Sequence, residues 1–270
     1  MGAYSLEFTQ NIFDFSQDTL KKRDSESIFI SAFHWGMPVY ARLPAMKTKP
    51  IILAAFLFTG VLSVASATEN PTILYVGDSH SYGQLGIVVD KNLSKISDHV
   101  IMESSCGSTP STWLGKNGYA KTVCGFWKKD GADEERSVQH QTPKFGDELA
   151  KYRPQYTIVQ LGTNIAADDK PQNYYASTEA MLQSIQAEKS ECIWIGPPDA
   201  NSKIVTREKL KTTNKMLNDL ADKYNCHYID SLLLTSFPES SKEGIHYPPS
   251  LSAAWGEKVS EQILKIIADK

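Results

Sequence analysis

Five short apolar runs alternate with stretches of helical periodicity between Thr72 and Ile229, and this alternation constrains the fold more than any other feature. The runs are Thr72-Ile-Leu-Tyr-Val76, His99-Val-Ile-Met102, Tyr156-Thr-Ile-Val-Gln-Leu161, Cys192-Ile-Trp-Ile195 and Cys226-His-Tyr-Ile229. Each reads as a strand covered on both faces, where little polar alternation is needed. Between them lie helical patterns: a stretch around Leu85 to Ile96, a face with Tyr174, Met181, Leu182 and Ile185, and another with Leu210, Leu217 and Leu220. A last pattern, with Trp255, Val259, Ile263 and Ile266, closes the chain at spacings of three and four. Strands separated by helices imply βαβ units, hence an α/β fold with a five-stranded parallel sheet covered on both sides. Such sheets bind ligands beyond the carboxyl ends of their strands. The connection from Glu103 to about Thr142 is rich in glycine and polar residues and reads as a long functional loop.

A leader-like segment precedes the first strand. Residues 46–67 run from Lys47 and Lys49 through an apolar stretch, Pro50 to Val64, to Ala65-Ser66-Ala67. A positive start, an apolar centre and a small-residue cleavage site define a secretory signal peptide. Such peptides act from an N-terminus, so Met46 is the expected start and 1–45 an over-extended translation. The other reading is a short membrane anchor with a cytoplasmic tail, but the apolar run is shorter than the ~20 residues a span needs. What remains, 68–270, has the size of one domain, expected outside the cytoplasm, periplasmic or secreted, and without a stable membrane span.

All four cysteines, Cys106, Cys124, Cys192 and Cys226, fall in that remainder. An even count behind an export signal points to two disulfides; of the three pairings, Cys106–Cys124 and Cys192–Cys226 are the shorter closures and are favoured. A zinc site is the rival, disfavoured because no Cys-x-x-Cys spacing occurs. A net charge of −3 offers no basic footprint for nucleic acid. No phosphate-cradling loop, dinucleotide fingerprint or metal-ligand cluster is found, so neither cofactor nor metal is expected.

Polar signatures sit at three points where chemistry belongs. Gly77-Asp78-Ser79-His80-Ser81 follows the first strand, Gly162-Thr163-Asn164 follows the third, and Glu243-Gly244-Ile245-His246 precedes the last helix. A serine at a strand-to-helix turn is exposed beside backbone N–H groups. It becomes a nucleophile only when a histidine takes its proton and a carboxylate orients that histidine. Without such partners Ser79 would be a helix cap, Asn164 a turn residue and His246 a loop histidine.

This pattern resembles the GDSL or SGNH hydrolase family from Ile73 to the C-terminal helix. The resemblance implies a flavodoxin-like three-layer α/β/α sandwich and hydrolysis of ester bonds. It implies Ser79 as nucleophile and His246 as base. Ser79 N–H, Gly107 N–H (in Ser105-Cys106-Gly107-Ser108) and Asn164 would form the oxyanion hole. The family's last block is usually Asp-x-x-His, whereas this chain has Glu243 in the orienting position; Asp230 is the reserve. His80 neighbours the nucleophile and is unsuited to be its base, and His99, His140 and His227 have no partner pattern.

The expected function is an exported serine esterase removing O-acyl groups, above all O-acetyl, from a carbohydrate or cell-wall polymer. Trp113, Tyr119, Phe126 and Trp127 crowd the long loop and would serve either as sugar platforms or as a satellite core. Ile195-Gly196-Pro197-Pro198-Asp199 would line the pocket or form a rigid turn. The alternatives are a lipid esterase or thioesterase, an O-acyltransferase to a sugar, and a carbohydrate-binding module with a vestigial site.

Overall fold

In the computed structural model, residues 70–115, 124–238 and 243–270 are described. The leader segment and Tyr119 lie outside them. Strand β1 (Ile73–Gly77) runs into a one-turn helix α1 (Ser79–Tyr82) and then α2 (Gln84–Leu93). Strand β2 (Val100–Ser105) is followed by α3 (Pro110–Trp113), a hairpin of β3 (Phe126–Asp130) and β4 (Asp133–Ser137), and α4 (Phe145–Tyr152). Next come β5 (Tyr156–Gln160), α5 (Thr163–Ala166), a 3-10 turn at Pro171–Tyr174 and α6 (Tyr175–Ala187). The chain ends with β6 (Glu191–Ile195), α7 (Arg207–Lys223), β7 (His227–Ile229), α8 (Ser231–Leu234) and α9 (Pro249–Ala268).

The strand order is β4-β3-β2-β1-β5-β6-β7. The five expected strands are present with ends shifted by a few residues, and neighbours among them pair in parallel. Two further strands correct the five-stranded, all-parallel expectation: β3 joins β2 antiparallel, and β4 joins β3. The glycine-rich connection is therefore partly sheet. Its strands escape periodicity because only Phe126 and Trp127 are buried, while β4, Asp133-Glu-Glu-Arg-Ser137, lies at the solvent edge.

Period-two alternation divides the strand side chains between two helical layers. Leu74, Val76, Val159 and Trp194 pack with Phe145 and Leu149 of α4, Met181 and Ile185 of α6, and Leu217 and Leu220 of α7. Ile73, Tyr75, Ile158 and Ile193 face the other way, onto Leu85 and Val89 of α2 and Trp255, Val259 and Ile263 of α9. Burying each such side chain contributes roughly 1.5–3 kcal/mol. The result is the three-layer sandwich.

Both favoured disulfides form. Cys106–Cys124, with Cα atoms 5.4 Å apart, ties the end of β2 to the start of β3. Cys192–Cys226, at 4.6 Å, ties β6 to the residue before β7. No thiol is left for a zinc site. Among the described residues, no helix is long and apolar enough to cross a membrane.

Candidate active site

The parallel strands end together, and the polar signatures collect at that edge. Gly77 closes β1, pairing with Ser104 of β2 on one side and Gln160 of β5 on the other. Asp78 caps α1, its Oδ1 accepting from His80 N at 3.0 Å, and Ser79 is the first residue of that helix.

Ser79 Oγ lies 2.8 Å from His246 Nε2, and His246 Nδ1 lies 2.5 Å from Glu243 Oε1. An ionised carboxylate only accepts, so it fixes the imidazole proton on Nδ1 and leaves Nε2 to accept from the serine. Chain segments 167 residues apart thereby join in one hydrogen-bonded relay. Glu243 and His246 stay partly exposed, with side-chain accessibilities of 45% and 27%. Asp230 is engaged elsewhere: Oδ1 accepts from Leu232 N, capping α8, and Oδ2 accepts from Asn214 Nδ2.

The two other expected donors meet at Ser108. Asn164 Nδ2 donates to Ser108 O at 3.0 Å, which occupies one amide hydrogen and leaves the second. Ser108 Oγ donates to Gly77 O at 3.3 Å and accepts from Trp113 Nε1 at 3.0 Å. Gly107 precedes it, exposed and at φ +79°, a backbone conformation that favours glycine. Cys106 N donates to Gly125 O at 2.9 Å, fixing the other flank of this turn.

Beneath Ser79 lies a buried polar layer. Tyr75 Oη and Ser81 Oγ are 2.6 Å apart, and Ser81 Oγ donates to Gln160 Oε1 at 2.6 Å. Asp78 has no exposed surface, and burial pushes its carboxyl up to about 7, the His80 N–H bond opposing. His80 is also buried, and desolvation lowers its pKa well below the ordinary value, so the ring is neutral. Its ring lies 5.1 Å from that of His246 and meets Trp255 edge-on at 5.4 Å. It floors the site, a role invisible in the sequence because Trp255 and His246 are distant in the chain.

Other expectations are corrected or resolved. Trp113, Phe126 and Trp127 are buried, so they form core and not sugar platforms. His140 stacks on Phe126, with ring centroids 4.0 Å apart. The turn after β6 is a buried scaffold: Asp199 is ion-paired with Arg207, and Tyr247, next to His246, donates to Asp199 O at 2.7 Å. Sequence reasoning placed Asp199 in a pocket-lining or rigid turn but missed its partners Arg207 and Tyr247. The only signal available was the Pro197-Pro198-Asp199 turn at a strand's carboxyl end.

Comparisons with known proteins bear on the family and the fold. A family model described as GDSL-like lipase/acylhydrolase matches residues 76–250. No curated protein matches the sequence. Among solved structures, a lipase/acylhydrolase from Enterococcus faecalis superposes with a TM-score of 0.51 at 18% identity, over 71% of this chain and 95% of that one. Est24, a carbohydrate acetylesterase from Sinorhizobium meliloti, gives 0.53 at 15% identity, over 73% and 99%. The psychrotrophic esterase EstA from Pseudoalteromonas sp. gives 0.53 at 16%, also over 73% and 99%. At such identities the likeness establishes the fold.

Proposed function

The chain belongs to the GDSL-like lipase/acylhydrolase family, a family of serine hydrolases of ester bonds, and from that premise we propose that it is an exported esterase removing O-acetyl groups from a carbohydrate. Ser79, His246 and Glu243 carry the reaction in this reading. The observation that carries it is the unbroken run of hydrogen bonds from Glu243 through His246 to Ser79.

Ser79 Oγ attacks the ester carbonyl as its proton passes to His246 Nε2, and Glu243 stabilises the imidazolium. The oxyanion takes hydrogen bonds from Ser79 N–H, Gly107 N–H and the second amide hydrogen of Asn164. Collapse expels the sugar alkoxide, which takes the proton from His246. Water then gives a proton to the same nitrogen, attacks the acyl-serine and releases the carboxylic acid. Every proton lost by an attacking oxygen returns to a leaving one, so the cycle closes without a cofactor.

The acetyl and carbohydrate preference draws support from the likeness to Est24 and from the leader-like segment 46–67. Two disulfides fit an oxidising compartment. Purified protein is assayed with nitrophenyl esters of increasing chain length and with acetylated polysaccharide, with and without acceptor sugars. Acetate release that falls with chain length is expected. Preference for long acyl chains replaces this reading with a lipid esterase or thioesterase, and acetyl transfer to the acceptor replaces it with an O-acyltransferase. Ser79→Ala is expected to abolish turnover, and Asn164→Ala to lower it by ~10²–10³. Equal rates for Ser79→Ala and wild type refute the assignment.

A further inference from the structure

Residues 243–248, which carry His246, belong to no helix or strand. Something outside that segment must hold the imidazole, because a general base works only when its nitrogen is placed to within a fraction of an ångström. Two bonds from the turn after β6 do so. Asn201 N donates to Gly244 O at 2.8 Å, and Gly244, at φ +79°, lies so near that a Cβ would sit 2.3 Å from Asn201 O. Tyr247 Oη donates to Asp199 O at 2.7 Å, with its ring edge-on to Phe237 at 5.0 Å.

Asp199 is the node of this arrangement. It is 5% exposed, and each of its polar groups is engaged. Its N–H donates to Thr235 Oγ1 at 2.9 Å, and its carbonyl accepts from Tyr247. Oδ1 accepts from Arg207 Nε at 3.0 Å; Oδ2 accepts from Arg207 Nη2 at 2.8 Å and from Phe237 N at 2.9 Å. One residue therefore binds together the β6 turn, the first residue of α7, the segment after α8 and the segment bearing His246. Burial alone would raise its carboxyl pKa; the Arg207 fork and the Phe237 N–H outweigh that and hold it below the usual carboxylate range. The residue stays charged, and its fork with Arg207 stays planar and bidentate.

We propose that Asp199, clamped by Arg207, is the positioning residue for the general base, acting on His246 through Tyr247. This rests on the reading of His246 as the base. Asp199 touches no reacting atom. It decides how often Nε2 stands at bonding distance from Ser79 Oγ, so it sets kcat and not substrate affinity.

The test measures kcat and KM per active site, sites being counted by exhaustive fluorophosphonate labelling of Ser79. Tyr247→Phe removes one hydroxyl and keeps the ring against Phe237. Arg207→Ala opens the clamp, and Arg207→Lys restores the charge without the fork. Tyr247→Phe and Arg207→Ala are each expected to lower kcat about tenfold with KM within about twofold, the scale of a small displacement of a catalytic group. Arg207→Lys is expected to recover part of the loss. The double variant is expected to lose less than the product of the single losses, since both act through Asp199. Wild-type kcat in Tyr247→Phe overturns the proposal. So does a loss of labelled sites with unchanged kcat per site, which would mean a structural role alone. Should Ser79→Ala itself keep wild-type turnover, the underlying reading fails instead, so the two failures are separable.

Discussion

Asp78 stands one residue ahead of Ser79 with its carboxyl sealed from solvent, and this has a measurable effect on stability. Burial raises its pKa from 3.8 to about 7. The folded state therefore holds the proton more tightly than the unfolded chain does. The contribution is fully present below the unfolded value and is lost as pH rises through the folded one. Asn at this position cannot ionise and still accepts the His80 N–H bond. Asp78→Asn is therefore expected to gain stability over wild type between pH 4 and pH 8, by on the order of 2–4 kcal/mol. Urea unfolding of both proteins at the two pH values checks this, and a pH-independent difference refutes it. Ser79 and Asn164 stood out in the sequence as polar residues after strands, and Glu243 and His246 as a carboxylate and imidazole three residues apart before the last helix. The hydrogen bonds among Ser79, His246 and Glu243 are what the structure adds. The bond between Asp199 and Tyr247 was not legible, since it spans 48 residues and joins a side chain to a main-chain carbonyl, which any residue carries.

Elements with a full stripe or a fully apolar run were the readable ones. Helix α7, with Leu210, Leu217 and Leu220 buried, and α9, with Trp255, Val259 and Ile263 buried, show the spacing that tertiary packing demands. Helix α4 was missed, because its eight residues bury only Phe145 and Leu149. The β3–β4 hairpin was missed for a related reason. Its apolar anchor is only two residues, Phe126 and Trp127, and polar bonds add to it, among them the Lys128 ammonium against the buried Glu103 and against Glu148 at 2.9 Å. Arg136 adds a contact over the Trp127 ring at 4.6 Å. The Cys106–Cys124 bridge completes the fastening, and its closure constrains the unfolded chain as well. Cys106→Ala with Cys124→Ala is expected to lower stability by roughly 3 kcal/mol on the chain-entropy account. Because Gly107 adjoins Cys106, turnover is expected to fall further than the loss of folded protein explains. Thermal unfolding and active-site-normalised kcat separate the two effects. Unchanged kcat per site would show that the bridge serves stability alone.

At the scale of the whole molecule, the strand order β2-β1-β5-β6-β7 brings the ends of β1, β2 and β5 side by side, and this places Ser79, Gly107 and Asn164 on one edge. The parallel core of that order followed from the alternation of runs and helices; the antiparallel extension did not. The compact unit Thr68–Lys270 holds the sheet, both helical layers and the relay. Protein begun at Thr68 is expected to unfold within about 2 °C of the longer chain and to match its kcat, the shift a change well under 1 kcal/mol would give. Circular-dichroism melting and ester hydrolysis test this, and failure of the shorter protein to fold would refute the domain boundary proposed at residue 67.

The hairpin that lengthens the sheet also changes what its rim presents to other molecules. On one side the outermost strand displays Asp133, Glu134, Glu135 and Arg136; on the other, β7 is only three residues long. Unpaired strand edges invite foreign chains to zipper on, and dense charge or brevity is how such edges are blunted. The consequence is colloidal: among the described residues, both rims of the sheet carry the charge or the brevity that blunts fusion of crowded copies into fibrils.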